Sequence, residues 1–326
     1  MRNLARISLL LVIVLVVVSA YLRLHESGIG CPDWPACYGM IGQNPDQQGA
    51  NMAESAYQRI VAESDAPLAW AAPLHRLVAS LLGLAVLGLA GLAIRAKKHR
   101  LVCIVLLGLT VFLAVIGIRS GSLHSPAIVM GNLVGGFTML GLLGWLVFRL
   151  GLGSARYTQT HIKHLRPWVL LALVMLCLQI ILGGFTSANF AGTSCQTLPD
   201  CQGTYLPDAT LYTAFKLTGS REVNESGMAV GGLERIAIHK AHRVGAILAF
   251  AAILAAGIAG IMGTGPSRNV AFLLLLLLVA EFTIGIASVM SGLPIALAVA
   301  HNWLAGLLLL VLLKMLALSH ERWAPD

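Results

Sequence analysis

AIHKAHRVGAILA, residues Ala237–Ala249, decides the fold, because it places His242 and Arg243 inside a long apolar run. An ionisable side chain within a membrane span is costly and by default marks a functional site. The apolar run nearest the C-terminus carries His301 at nearly the same depth. The sequence therefore predicts membrane helices whose polar side chains share one pocket.

The composition agrees with this expectation. The chain has 326 residues, of which 57% are hydrophobic and 11% are charged, and its mean hydropathy is +0.82. No soluble domain needs so much apolar surface, so we expect a polytopic membrane protein in contact with lipid. The net charge of +8 lies mostly in short loops between apolar runs, which the positive-inside rule explains. No patch suited to nucleic acid is found, and we expect no nucleic-acid partner.

Eight apolar runs are each near the ~20 residues that a helix needs to cross a bilayer. Backbone groups in lipid must be hydrogen-bonded internally, so these runs are expected to be helices. The expected spans are Leu4–Tyr21, Leu68–Ile94, Leu101–Ile118, Pro126–Phe148, Pro167–Thr186, Ile236–Met262, Asn269–Met290 and Leu293–Leu318.

Basic residues orient the spans. They cluster between spans two and three, between spans four and five, and after span eight. This pattern predicts a membrane protein with both termini in the cytoplasm. The two long polar loops, residues 22–67 and 187–235, would then face outward. A cleaved signal peptide around Leu9–Ala20 is the alternative reading of the first span.

Both outward loops carry a pair of cysteines with five residues between them, Cys31/Cys37 and Cys195/Cys201. Disulfides persist in an oxidising compartment, so each pair is expected to form a structural disulfide. The alternative to a structural disulfide is an exposed, redox-active cysteine pair near a substrate. A zinc site is not favoured, because further His or Cys residues at suitable spacing are missing from the sequence around each pair.

The two halves of the sequence resemble each other. GCPDWPACYG (Gly30–Gly39) matches SCQTLPDCQG (Ser194–Gly203), and the stretch His75–Ile94 of span two matches His242–Ile261 of span six. The pattern predicts two parallel, pseudo-repeated four-helix bundles. Their expected bounds are residues 1–150 and 164–326, with a cytoplasmic linker at 151–163.

His242 and His301 are expected roughly 10 Å below the outer membrane surface, on neighbouring helices. Two imidazoles at one depth suggest an iron of heme held from both faces. Separate hydrogen bonds in a polar core are the alternative. Arg243 is expected to pair with a heme propionate or to lie at the interface. His239, one turn before His242, lines the pocket or is an interface histidine.

The first half has His75 and Arg76 at the equivalent position. Its second ligand position falls on Asn132, a poor ligand for iron, and His124 is the other nearby imidazole. We expect a pocket with one strong axial ligand and a second face that is open. An open face suits substrate chemistry and would equally result from a decayed site.

Five stretches together resemble the heme A synthase family across all eight spans. They are GCPDWPACYG, AWAAPLHRLVASLLGL, LQIILGGFTSANFAGTSCQTLPDCQG, IHKAHRVGAILA and ALAVAHNWLAGLL. The resemblance implies a membrane oxidoreductase that converts the methyl group of heme O to the formyl group of heme A for cytochrome c oxidase. It implies heme B bound by His242 and His301, and heme O bound near His75.

The resemblance also implies partners and roles. Heme O would be the substrate, a heme O synthase and an electron donor would be partners, and a homo-oligomer is possible. His75, Arg76 and Asn132 would form the catalytic site, with His75 on the substrate iron. Two positions depart from the family pattern: Ala72 stands where a glutamate is usual, and Asn132 stands where a histidine is usual.

These departures favour an alternative function, a paralogue that binds heme or transfers electrons without the oxidation. A transporter is a third hypothesis, drawn from the parallel repeat. It is disfavoured because Glu281 is the one acidic residue near the middle of a span.

Overall fold

The structure is a computed structural model. It describes residues 1–24, 70–119, 126–151, 162–189, 191–195, 197–201, 203–205, 214–216, 232–263 and 266–319. Eight helices within these residues are long and apolar enough to cross a membrane, which confirms the predicted all-α membrane fold. They are α1 (Arg2–Leu24), α2 (Ala71–Ala96), α3 (Arg100–Arg119), α4 (Pro126–Gly151), α5 (Ile162–Ala188), α6 (Gly232–Ile261), α7 (Pro266–Met290) and α8 (Ile295–Ser319).

The outer surface of the helices is apolar. Leu84 is 68% exposed and Leu101 is 75% exposed, and similar leucines and valines cover the other helices. In water such a surface would be a liability, whereas in lipid it has no cost. The surface therefore supports an integral membrane protein.

The start of α8 differs from the predicted span. Gly292 has φ 74° and Leu293 has φ 65°, so both residues adopt the left-handed conformation and form a turn after α7. Pro294 then precedes the helix, where its missing N–H group is not needed. The helix begins at Ile295, two residues after the approximate start that the apolar run predicts, because the turn comes first.

Helix contacts form a ring within each half of the chain. In the first half, α1 and α3 each pack against both α2 and α4, and in the second half α5 and α7 each pack against both α6 and α8. The halves meet where α8 contacts α1 and α4 and where α4 contacts α5. The boundaries 1–150, 151–163 and 164–326, and the repeat relation, stay predictions.

Small residues bring the two halves close together. A β-carbon on Gly141 would lie 3.6 Å from Leu309, and one on Gly306 would lie 3.1 Å from Leu140. Interfaces between membrane helices are enriched in small residues, because van der Waals packing drives their association. Close packing of α4 on α8 places first-half side chains next to the helix that carries His301.

Candidate functional site

A cavity of about 1410 Å³ lies among α5, α6, α7 and α8. Four of the predicted site residues line it: His239, His242, Arg243 and His301. Side chains of α1 and α4 also reach its wall, including Arg23 and Phe137. The cavity is therefore enclosed mainly by the second half and completed by the first.

His242 of α6 and His301 of α8 lie close to each other within this cavity. Their ring centroids are 6.4 Å apart and their planes are inclined at 88°. An imidazole nitrogen binds a metal at about 2 Å, and the ring centroid lies roughly 1 Å behind that nitrogen, so two axial imidazoles have centroids about 6 Å apart. The spacing of the two rings suits one metal ion between them.

Helix α7 supports His301 in two ways. The Oε1 atom of Glu281 lies 3.2 Å from Nδ1 of His301, and a β-carbon on Gly285 would lie 3.0 Å from Cε1 of the same ring. A carboxylate beside one ring nitrogen fixes the tautomer that carries hydrogen there. Nε2 is then the nitrogen with a lone pair for a ligand.

Helix α5 contacts His242 through Gln179 and Gly183, which are four residues apart, as Glu281 and Gly285 are on α7. The amide nitrogen Nε2 of Gln179 lies 3.0 Å from Nδ1 of His242 and donates to the His242 carbonyl oxygen at 3.1 Å. A β-carbon on Gly183 would lie 3.2 Å from Cε1 of the ring. On each helix the glycine comes one helical turn after the polar residue, so the glycine and the polar residue face the same imidazole. One imidazole has an amide beside it, and the other has a carboxylate.

Arg243 holds the loop that contains Cys195 and Cys201. Its Nη1 atom donates to the carbonyl oxygens of Thr197 and Asp200, each at 2.7 Å, and its Nη2 atom donates to that of Cys195 at 2.6 Å. Cys195 and Cys201 form a disulfide with Cα atoms 5.1 Å apart. The loop is thus fastened to the residue next to His242, and the predicted role of Arg243 toward a propionate stays a prediction.

His239 and Lys240 lie on α6 one turn before Arg243, close to the same loop. Both side chains are buried, each 3% exposed. Lys240 donates through Nζ to Oγ1 of Thr204, just after the disulfide. The polar face at the start of α6 therefore faces the loop on one side and the cavity on the other.

The predicted first-half residues lie elsewhere. His75, Arg76 and Asn132 are half-buried on α2 and α4, outside the wall of this cavity, and no hydrogen bond or ring contact joins His75 to Asn132 in the part of the chain that the structure describes. Ala72 packs against an apolar cluster that includes Leu22. The predictions on His124, Cys31 and Cys37 lie outside the described residues.

The sequence analysis missed several polar residues of the cavity, among them Arg23, Gln179 and Asn302. Gln179 is a polar residue inside an apolar run, so the cost of burying its amide could have marked it. Asn302 follows His301 in the same apolar run and could have been marked in the same way. Arg23 carried no such signal, because it lies beyond the expected end of the first span. Glu281 entered the sequence analysis only in weighing the transporter hypothesis, and its contact with His301 was not predicted.

The fold and cavity define a class: an all-helical integral membrane protein with two facing histidines in a helix-bundle cavity. A family model described as cytochrome oxidase assembly protein, COX15-CtaA, matches residues 2–313. The chain belongs to this family.

Three relatives are similar over nearly the whole chain. The heme A synthase of Shewanella oneidensis is 34% identical over 96% of this chain and 94% of its own length. The heme A synthase of Cereibacter sphaeroides is 25% identical over 95% of this chain and 85% of its own. That of a Caulobacter species is 25% identical over 92% of this chain and 90% of its own.

Proposed function

We propose that this chain is a heme A synthase, a membrane oxidoreductase that converts the methyl group of heme O to the formyl group of heme A during cytochrome oxidase assembly. The observation that carries the proposal is the pair His242 and His301, 6.4 Å apart in the cavity. The family match over residues 2–313 supports it, as do the relatives' names.

The residues of the cavity suit a heme B cofactor. Its walls combine two imidazoles, apolar side chains such as Phe250 and Leu278, and guanidinium groups, which match the iron, the macrocycle and the acidic substituents of a heme. His242 and His301 would be the axial ligands. A bound heme of this kind supplies one-electron transfer, and an unidentified electron donor would replenish it.

Heme O would bind in the first half near His75, with Arg76 and Asn132 beside it. His75 would offer the iron one imidazole, and Asn132 would leave the opposite face open to reaction. We place this pocket toward the outer side of the inner membrane, with both termini in the cytoplasm. A heme O synthase would deliver the substrate, and a homo-oligomer would be compatible with the apolar outer surface.

A second candidate is a paralogue that binds heme B and transfers electrons without oxidising heme O. The observation in its favour is Ala72, which packs against an apolar cluster with Val18 and Leu22. This position offers a methyl group where the family usually has a carboxylate. Asn132, in place of a histidine, also favours this second candidate.

One expression experiment separates the two functions. The chain is produced with a heme O synthase in cells that lack their own heme A synthase, and the extracted hemes are separated by chromatography. Heme A in the extract supports the oxidase function. Heme B and unchanged heme O support the paralogue, and recovery of heme A in the double variant Ala72→Glu/Asn132→His would then assign the loss to these two positions.

A further inference from the structure

Arg23 belongs to the first half but lines the cavity of the second. It lies in the last turn of α1, and its Nη2 atom donates to Oδ1 of Asn302 in α8 at 3.2 Å. Asn302 follows His301 directly in the sequence. Arg23 therefore places a guanidinium group from another bundle beside the helix that carries one predicted axial ligand.

This guanidinium lacks a counter-charge among the described residues. Its Nε atom is buried and has no hydrogen-bond partner there, and its recorded partner, the Asn302 amide oxygen, is neutral. A buried cation without an anion is costly, and a helix C-terminus offsets only part of that cost. The site is arranged for an anion that comes from outside the described chain.

Other charged groups of the cavity are engaged differently. Glu281 lies beside Nδ1 of His301, and no ion pair joins it to Arg23 in the described part of the chain. Arg243 donates through both terminal nitrogens to loop carbonyls. Arg235 is the third guanidinium in the cavity wall. Of the three, Arg23 is the one whose contact lies next to His301.

We propose that Arg23 binds a carboxylate substituent of the tetrapyrrole that His242 and His301 hold, so that the first half completes the cofactor site of the second. This inference rests on the proposed function, because it requires a heme in the cavity. The planar fork of an arginine suits a carboxylate, since two parallel N–H groups can donate to its two oxygens. Asn302 orients the fork from the α8 side.

The test compares heme B with its dimethyl ester, in which both carboxylates are blocked. The chain is produced in heme-deficient cells, placed in lipid nanodiscs and titrated with each compound, and the low-spin absorption of a two-histidine heme reports specific binding. We expect the wild type to bind heme B at least about tenfold more tightly than the ester, because hydrogen bonds to charged groups contribute about 1.5–3 kcal/mol. In Arg23→Gln that preference should fall by about tenfold, and in Arg23→Lys it should fall less.

Two variants serve as controls. Arg268→Gln removes a charge from the exposed start of α7, where Arg268 lies over the Phe272 ring, and it should keep the wild-type preference. Arg235→Gln removes the alternative guanidinium of the cavity. The inference is overturned if Arg23→Gln forms the low-spin heme and keeps the wild-type preference for heme B over the ester. It is also overturned if Arg235→Gln, with Arg23 intact, abolishes that preference. If the wild type itself forms no low-spin heme, the proposed function fails instead.

Discussion

The carboxylate of Glu281 lies 3.2 Å from the ring nitrogen Nδ1 of His301, whereas His242 has the neutral amide of Gln179 at 3.0 Å. The two imidazoles that face each other in the cavity thus have different supports. A carboxylate beside a ring nitrogen of a ligating histidine raises the basicity of that ligand. The structure therefore predicts that the two sides of a bound heme are electronically unequal.

Glu281→Gln should raise the midpoint reduction potential of the bound heme while most of the heme is kept. The amide keeps a polar group beside Nδ1, but it lacks the negative charge that favours oxidised iron. Spectroscopic redox titration of the purified protein measures the potential. Glu281→Leu, which removes the polar contact with Nδ1 as well, should weaken heme binding by about 10–100-fold.

Glu234→Gln is the matched control for this prediction, because it removes a carboxylate from the first turn of α6, outside the cavity wall. It should leave the potential unchanged. A lower or identical potential in Glu281→Gln would show that the carboxylate does not act on the iron through His301.

A side chain at Gly285 should disturb the site, because its β-carbon would lie 3.0 Å from Cε1 of His301 and the ring would have to shift. Overpacking of this kind costs about 1–3 kcal/mol, or roughly a five- to hundredfold loss in heme affinity. We expect Gly285→Ala to lose part of the low-spin heme and Gly285→Val to lose nearly all of it. Heme content per polypeptide and the absorption spectrum are the measurements.

Gly91→Ala provides the comparison, since a β-carbon there meets nothing within 4 Å. It should bind heme like the wild type and be equally or slightly more stable, because alanine favours a helix over glycine. Equal heme content in Gly285→Val and in the wild type would mean that the His301 ring is not held against α7.

The helices could be predicted from the sequence because apolar runs of sufficient length have one stable form in lipid. Their ends were less predictable. The turn at Gly292 and Leu293 depends on two left-handed residues, and hydropathy carries no signal for backbone conformation.

His242 and His301 could be predicted as neighbours because both are ionisable groups at one depth. The supports of their rings depend on which face of α5 and α7 points inward, and the apolar residues of these helices are spread nearly evenly around their axes. Arg243 was predicted to pair with a heme propionate or to lie at the interface, and both stay predictions. What the sequence did not indicate is that its terminal nitrogens hold the loop of Cys195. That contact depends on how a polar loop folds back on the bundle, which periodicity does not encode.

Arg243→Gln should make the disulfide between Cys195 and Cys201 more accessible to reductant. The wild-type side chain donates to three carbonyl oxygens of this loop, and one charge-assisted hydrogen bond contributes about 1.5–3 kcal/mol. We expect the disulfide to be reduced at least about tenfold faster, as followed by thiol alkylation and mass spectrometry. In the control variant Arg268→Gln the disulfide should be reduced at the wild-type rate. Equal rates of reduction in Arg243→Gln and Arg268→Gln would contradict the role of Arg243.

His301→Ala and Asn132→Ala together test which half holds the low-spin heme. His301 lies 6.4 Å from His242 across the cavity, whereas Asn132 lies on α4 outside the cavity wall. Loss of one axial imidazole should convert the heme to a high-spin form or release it, because a methyl group cannot replace a nitrogen ligand. His301→Ala should therefore lose the low-spin absorption bands, and Asn132→Ala should keep most of them.

Since both variants remove polar atoms from a membrane helix, size-exclusion profiles and helical circular dichroism establish that each is folded. A folded His301→Ala protein with the wild-type spectrum would remove His301 as a ligand, and with it the site on which the proposed function depends.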